Sequence, residues 1–198
     1  MPLTKRLASG IRVTGGPGKT FAVGNVVSLV ATDALPDFRF PHATEDRIVD
    51  MGTPMKVLQT LDAQGMAAAV AAGVSGSLTL AFDGALVRAA SRKAYVPTGN
   101  LGRSLGAIEI PSTDITFFEH CWRDEKPKLR VRVTSAGQIF DLSVPAEAAR
   151  ARWRAAGLAE LKADVQASSK VHVRAGLSRP MSSKPNECYS QVNGVVFL

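Results

Sequence analysis

The run Gly15-Gly16-Pro17-Gly18-Lys19-Thr20 ends in the Gly-Lys-Thr that closes a phosphate-cradling loop, where backbone N–H groups and a lysine hold a nucleotide's phosphates. That loop needs a glycine five residues before Gly18, where Val13 stands, and a helix behind it, where Gly24-Asn25 and β-branched residues follow instead. The run is read as a turn with a surface lysine. His120-Cys121 pairs a base with a thiol, but neighbouring residues of a strand point to opposite faces, so a nucleophilic Cys121 needs its base from His42 or His172. Cys121 is read instead as a buried structural cysteine. Glu45, Asp46 and Asp50 cluster ahead of a helix start without a further ligand at a recognised spacing, and no metal site is assigned. The two cysteines, Cys121 and Cys188, are too far apart to begin a zinc site without several histidines placed by the fold. No catalytic residue, cofactor or metal follows from these patterns, and the chain is read as non-enzymatic.

The chemistry that remains is electrostatic. Lys128, Arg130 and Arg132 alternate with Leu129, Val131 and Val133, and Lys170, His172 and Arg174 alternate with Val171, Val173 and Ala175. Period-two alternation turns each basic set to one strand face, and if the two strands are neighbours six donors share a surface suited to phosphates. Solvated strands also carry long basic side chains that discourage edge-to-edge pairing, which is the competing explanation. Arg92 and Lys93 in the segment 91–104 and Trp122 behind Cys121 complete the candidate nucleic-acid site. Tyr95, Phe117, Phe118 and Tyr189 are further aromatics on which bases could stack, with one of the two phenylalanines and Trp153 expected in the core.

Elements must position these residues, and the second half of the chain is the more legible. Leu105–Ile110 and Ile115–His120 form a long or bent first strand around Pro111-Ser112; Leu129–Thr134 and Gln138–Val144 pair across Ser135-Ala136-Gly137. Pro145 and Glu147 open a helix to about Gly157, with a second helical piece from Leu158 to Gln166. Strands at Val171–Ala175 and about Tyr189–Phe197 complete the order strand, strand, strand, helix, strand, strand, which is that of a five-stranded OB barrel. In the first half, Phe21–Ala31 reads as two short strands or one bulged strand, and Thr53-Pro54 starts a helix reaching about residue 73, ended or kinked at Gly65. Ser77–Phe82 and Ala85–Ala90 read as a hairpin over Asp83-Gly84. The stretch 91–104, with Pro97, Gly99-Asn100 and Gly102, is taken as the boundary between units 1–100 and 101–198.

With 198 residues, 45% hydrophobic and 21% charged, the composition belongs to folded globular chains. A net charge of +7 favours a polyanionic partner, and the excess is spread along the chain: ten Lys/Arg against seven Asp/Glu in residues 1–100, fourteen against ten in 101–198. The N-terminus has no apolar run of signal-peptide type and no 18-residue apolar stretch occurs, so a cytoplasmic setting without membrane is expected.

The segments KLRVRVTSAGQIFDLSVP (128–145), VHVRAGLSRP (171–180) and CYSQVNGVVF (188–197) resemble the end of the bacterial dual-OB-domain family. The resemblance covers mainly residues 128–198; in the first half only PHATED (41–46) carries it. Its motifs are structural, namely Gly176 before Leu177 and an Asn193-Gly194 turn. It implies an α+β, mainly β chain of two small OB-like barrel units, the second with a helix between strands 3 and 4. It further implies nucleic-acid-binding modules in a bacterial defence or mobile-element setting, and no catalytic residue. The leading expectation is single-stranded DNA or RNA binding through the basic face of the OB-like unit. The alternative is a protein-interaction adaptor in a larger complex, with the basic residues serving solubility.

Overall fold

The computed structural model describes residues 24–33, 41, 47–49, 55–121 and 126–198. The Gly15–Thr20 run, His42, the Glu45/Asp46/Asp50 cluster, Thr53-Pro54 and Trp122 lie outside them. Among the described residues the fold is mainly β with two α-helices, and the chain divides into two units, 1–36 with 45–72 and 37–44 with 73–198.

In the first unit, β1 (Asn25–Ser28) pairs antiparallel with β4 (Lys56–Thr60), and β2 (Ala31–Asp33) with β3 (Arg47–Val49). The β1/β4 register slips between Val26 and Val27, and Thr60 Oγ1 donates to Asn25 Oδ1 at 2.8 Å. Lys56–Thr60 therefore lies in a strand where a helix starting at residue 53 was expected. The helix, α1 (Ala63–Ala71), begins only after Asp62, whose carboxylate accepts the Gly65 N–H at 2.7 Å. That cap fixes the start: an aspartate satisfies an orphan N–H of the first turn, whereas Val57 and Thr60 are β-branched residues that suit the ladder with β1. Gly65 sits in the first turn, and the alanine-rich run ends as expected before Gly73, at φ +81°.

In the second unit nine strands share one network, ordered β5 (Val74–Ser75), β8 (Leu105–Pro111), β12 (Lys170–Leu177), β13 (Glu187–Phe197), β11 (Gln138–Ser143), β10 (Lys128–Ser135), β9 (Ile115–His120). β7 (Ala94–Pro97) pairs with β13 and with β6 (Val87–Arg88). Pairings are antiparallel except β5/β8 and β11/β13. β8 and β9 are consecutive in the chain, joined by the 3₁₀ turn Ser112–Asp114 at the expected proline break. No closed, continuously hydrogen-bonded barrel forms among the described residues. The core is apolar and continuous, with Phe82, Phe117, Phe140, Leu142 and Leu161 at its centre.

The unit boundary falls at Gly73 and not near residue 100, because residues 74–97 supply strands to this network. The expected 77–90 hairpin is replaced. Ser77–Phe82 instead inserts Leu78 and Phe82, both wholly buried, and Leu80–Phe82 winds into a 3₁₀ turn whose start is held by Leu78 N–H donating to Ser135 Oγ at 2.9 Å. Burial of two large side chains outweighs the ladder that alternation suggests. Gly106 permits the insertion: a Cβ there would lie 2.6 Å from the Ala81 carbonyl oxygen. The hairpin that does form is β6/β7, across Ala89–Lys93.

Helix α2 (Glu147–Gln166) joins the two expected helical pieces across Gly157, whose φ of 85° interrupts the helical backbone. It buries Ala149, Leu161 and Val165, and Trp153 packs on the core while its Nε1–H donates to Glu119 at 2.7 Å. The Asn193-Gly194 pair makes no turn; it lies inside β13 at a register shift opposite Arg174/Ala175, with Asn193 as the extra residue. A side chain at Gly176 would strike the Asn193 amide, which accounts for glycine there.

Candidate nucleic-acid interface

The β10 alternation puts Leu129, Val131 and Val133 in the core and turns Lys128, Arg130 and Arg132 outward, onto a surface shared with Phe118 of β9 and Asp141 and Ser143 of β11. Register places Arg132 opposite Asp141 and Arg130 opposite Ser143. The Arg132 guanidinium grips Asp141 with a fork, Nε to Oδ1 at 2.7 Å and Nη2 to Oδ2 at 2.9 Å, and lies 5.4 Å from the centre of the Phe118 ring. Arg130 is half-buried and donates from Nη2 to the Asp141 carbonyl at 2.8 Å. The Asp141 N–H in turn donates to the Arg92 carbonyl at 2.9 Å, which fixes the β6/β7 turn beside β11; Arg92 itself takes φ 63°. The hydrogen bond from Arg132 holds the Asp141 carboxyl below its ordinary range, and the charges of Arg92 and Arg130 lower it further. Burial draws the Arg130 guanidinium down from its ordinary value.

Beside this surface runs an open groove of ≈ 430 Å³, lined by Lys93, Arg130, Asp141, Ser143, Tyr189, Gln191 and the β12/β13 loop, with Ser143 and Gln191 paired neighbours on β11 and β13. The loop brings Ser178, Met181, Ser183 and Lys184 to the groove and is closed on itself by the Lys184 N–H donating to the Met181 carbonyl at 2.9 Å. Ser178 Oγ accepts the Tyr189 N–H at 3.1 Å. The Tyr189 hydroxyl donates to Glu187, which pushes the phenol up to about 12 and the carboxyl down. Lys184 lies 3.5 Å from the same carboxylate, and the Tyr95 and Tyr189 rings meet at 5.9 Å and 56°. Cationic groups thus outnumber anionic ones along the lining, and an aromatic face is held among them.

Of the candidate residues, Arg92, Lys93, Arg130 and Arg132 gather around Asp141 and the groove, and Lys128 continues the row toward His120. Lys170 and Arg174 do not join them: β13 and β11 stand between β12 and β10. Lys170 pairs with Glu109 at 3.5 Å, and the Arg174 stem packs over Gly194. His172 is buried where an outward position was expected, since β12 is central and covered on both faces for most of its length. Its Nδ1 has no hydrogen-bond partner among the described residues, and burial holds the imidazole below its ordinary value despite the Glu109 charge. Cys121 is exposed, contrary to the buried role expected, because it follows the last residue of β9; Cys188 is the buried cysteine. No metal-ligand cluster occurs, and no helix is long and apolar enough to cross a membrane, among the described residues.

Sequence reasoning missed Asp141, Ser143, Gln191 and the loop residues Ser178, Met181, Ser183 and Lys184. The loop had a signal, the Pro180–Pro185 segment with a lysine between two strands; for Asp141 it was the expected hairpin, whose two-residue turn Ala136-Gly137 sets Asp141 opposite Arg132. Comparison with protein-family models, curated proteins and solved structures finds no match.

Proposed function

We propose that the second unit is an OB-like barrel of the dual-OB-domain kind, and that its groove binds single-stranded nucleic acid without catalysing a reaction on it. The barrel reading is supported by the pairing order β9–β10–β11–β13–β12–β8, whose two end strands are consecutive in the chain, with α2 between the third and fourth strands. OB barrels bind oligonucleotides on the face of strands 2 and 3 and on the loops between strands 1–2 and 4–5. In this chain strands 2 and 3 are β10 and β11, and the 4–5 loop is 178–186.

The observation that carries the functional reading is that one groove is lined by Lys93, Arg130 and Lys184 together with Tyr189, and by residues of β10, β11 and the 178–186 loop. Cations track a phosphate backbone and an aromatic face stacks bases, the two components of sequence-tolerant single-strand binding. Lys170 and Arg174, on the far part of the network, drop out of the proposed surface, while Lys128, Arg92 and Arg132 flank it.

Fluorescence anisotropy with labelled oligo(dT) and oligo(U) at low salt tests the reading. Saturable binding is expected, weakened by Lys93→Ala with Lys184→Ala and unaltered by Lys170→Ala with Arg174→Ala. Absence of binding, together with recovery of one stoichiometric protein partner, would establish the adaptor alternative instead.

A further inference from the structure

Arg132 stands on the outer face of β10 but outside the lining of the groove, and its setting differs from that of the other outward cations. Asp141 accepts from both its Nε and its Nη2, so the guanidinium is held in one plane and its charge is matched by a carboxylate at 2.7 Å. The guanidinium carbon also lies 5.4 Å from the centre of the Phe118 ring, on the neighbouring strand β9. Paired and backed in this way, the side chain still keeps 44% of its surface exposed. A matched charge makes a weak phosphate contact; what the fork leaves open is a rigid, planar, delocalised surface. Bases stack on guanidinium planes as they do on aromatic rings. Asp141 lines the groove as well, so this platform adjoins it across a single side chain.

Resting on the single-strand reading above, we infer that the Arg132–Phe118 pair is a second base-stacking site, outside the groove, and that Asp141 is the positioning residue that holds the guanidinium flat for it. The group it takes is the planar heterocycle of a nucleotide in the strand whose neighbours occupy the groove. Any base suits it, because every base has a π-face. The site adds affinity without adding a phosphate contact, since the Arg132 charge stays with Asp141. A lysine at this position keeps the charge beside Asp141 but presents no plane.

Two labelled nonamers separate stacking from charge: dT, and its dihydrothymine counterpart, in which saturation of one ring bond removes planarity and aromaticity while the phosphates, carbonyls and imide N–H remain. Anisotropy titrations of the full chain give the ratio of the two affinities. Loss of one stacking partner weakens binding by about fivefold or more per base. The preference for dT over the dihydro nonamer is therefore expected to shrink at least about fivefold in Arg132→Lys. A contact from Arg132 to phosphate, or a purely structural role, changes both affinities together; an unaltered ratio overturns the inference and leaves the single-strand reading standing, since Tyr189 then accounts for the stacking. Arginine side-chain NMR spectra of the unmodified protein decide the same point should Arg132→Lys not fold. The Arg132 Nε–H resonance, protected by Asp141, is expected to shift on addition of the dT nonamer and much less with the dihydro nonamer, and equal shifts or none overturn the inference. Failure of both nonamers to bind overturns both readings.

Discussion

Salt dependence distinguishes the two basic surfaces that the fold has separated. Each phosphate neutralised on a single strand contributes about −0.7 to the slope of log K against log salt. Lys93, Arg130 and Lys184 line the groove, so three contacts there give about −2.1, and raising salt from about 50 to about 200 mM weakens binding roughly 20-fold. Replacing Lys93 and Lys184 by alanine should bring the slope down to about −0.7 and flatten the curve to a roughly threefold change. Arg130 is left in place because its guanidinium is half-buried and bonded to the Asp141 carbonyl, so its loss would mix a folding effect with a binding effect. The paired control is Lys170→Ala with Arg174→Ala on β12, separated from β10 by two strands, which should leave the slope unchanged. Anisotropy titrations of a labelled dT nonamer at four salt concentrations give the slopes. A Lys93/Lys184 variant with the slope of the unmodified protein, or a β12 variant that lowers it, refutes the assignment of phosphate contacts to the groove.

Three further outcomes concern the scaffold that holds the groove. Gly106→Ala places a methyl group 2.6 Å from the Ala81 carbonyl oxygen, and should cost about 1–3 kcal/mol of stability, read as a lowered urea midpoint at unchanged slope. Ala136 takes φ 50° in the β10/β11 turn, so Ala136→Asn should stabilise the protein by a few tenths of a kcal/mol up to about 1, read as a raised urea midpoint, since asparagine tolerates the left-handed region better. Burial holds His172, faced by Glu109 and Arg174, below its ordinary value, so as pH falls the unfolded chain takes up that proton first. Stability from this site is full above the unfolded value of about 6.5 and declines as pH drops through it toward the lower folded value. Urea midpoints should therefore fall between pH 7.5 and 5.5 in the unmodified protein, by more than in His172→Gln; equal pH dependence in the two would show that another group is responsible.

What was legible in the sequence follows the range of the forces involved. From Leu105 onward, alternation and turn chemistry place β8 to β13 and α2 within two residues, because each strand has one face on a single core and Ser135–Gly137, Pro145 and Gly157 punctuate locally. Residues 74–97 were misread because their structure is decided by partners distant in the chain: Leu78 by Ser135, Ala81 by Gly106, Tyr95 by Tyr189. The same limit governed the site. Alternation correctly turned Lys128, Arg130 and Arg132 outward and the turn at Ser135–Gly137 put β11 beside β10, but nothing local says how far β12 lies from them, and so the two basic rows were grouped. The outward assignment of His172 failed for a related reason, as a central strand is covered on both faces whatever its pattern. The pairing order then decides the chemistry: by putting β11 beside β10 it sets Asp141 among Arg92, Arg130 and Arg132, and converts a row of cations into a lining with both donors and an acceptor. A bare cationic row offers only donors, and this lining has a carboxylate in it because β11 carries Asp141.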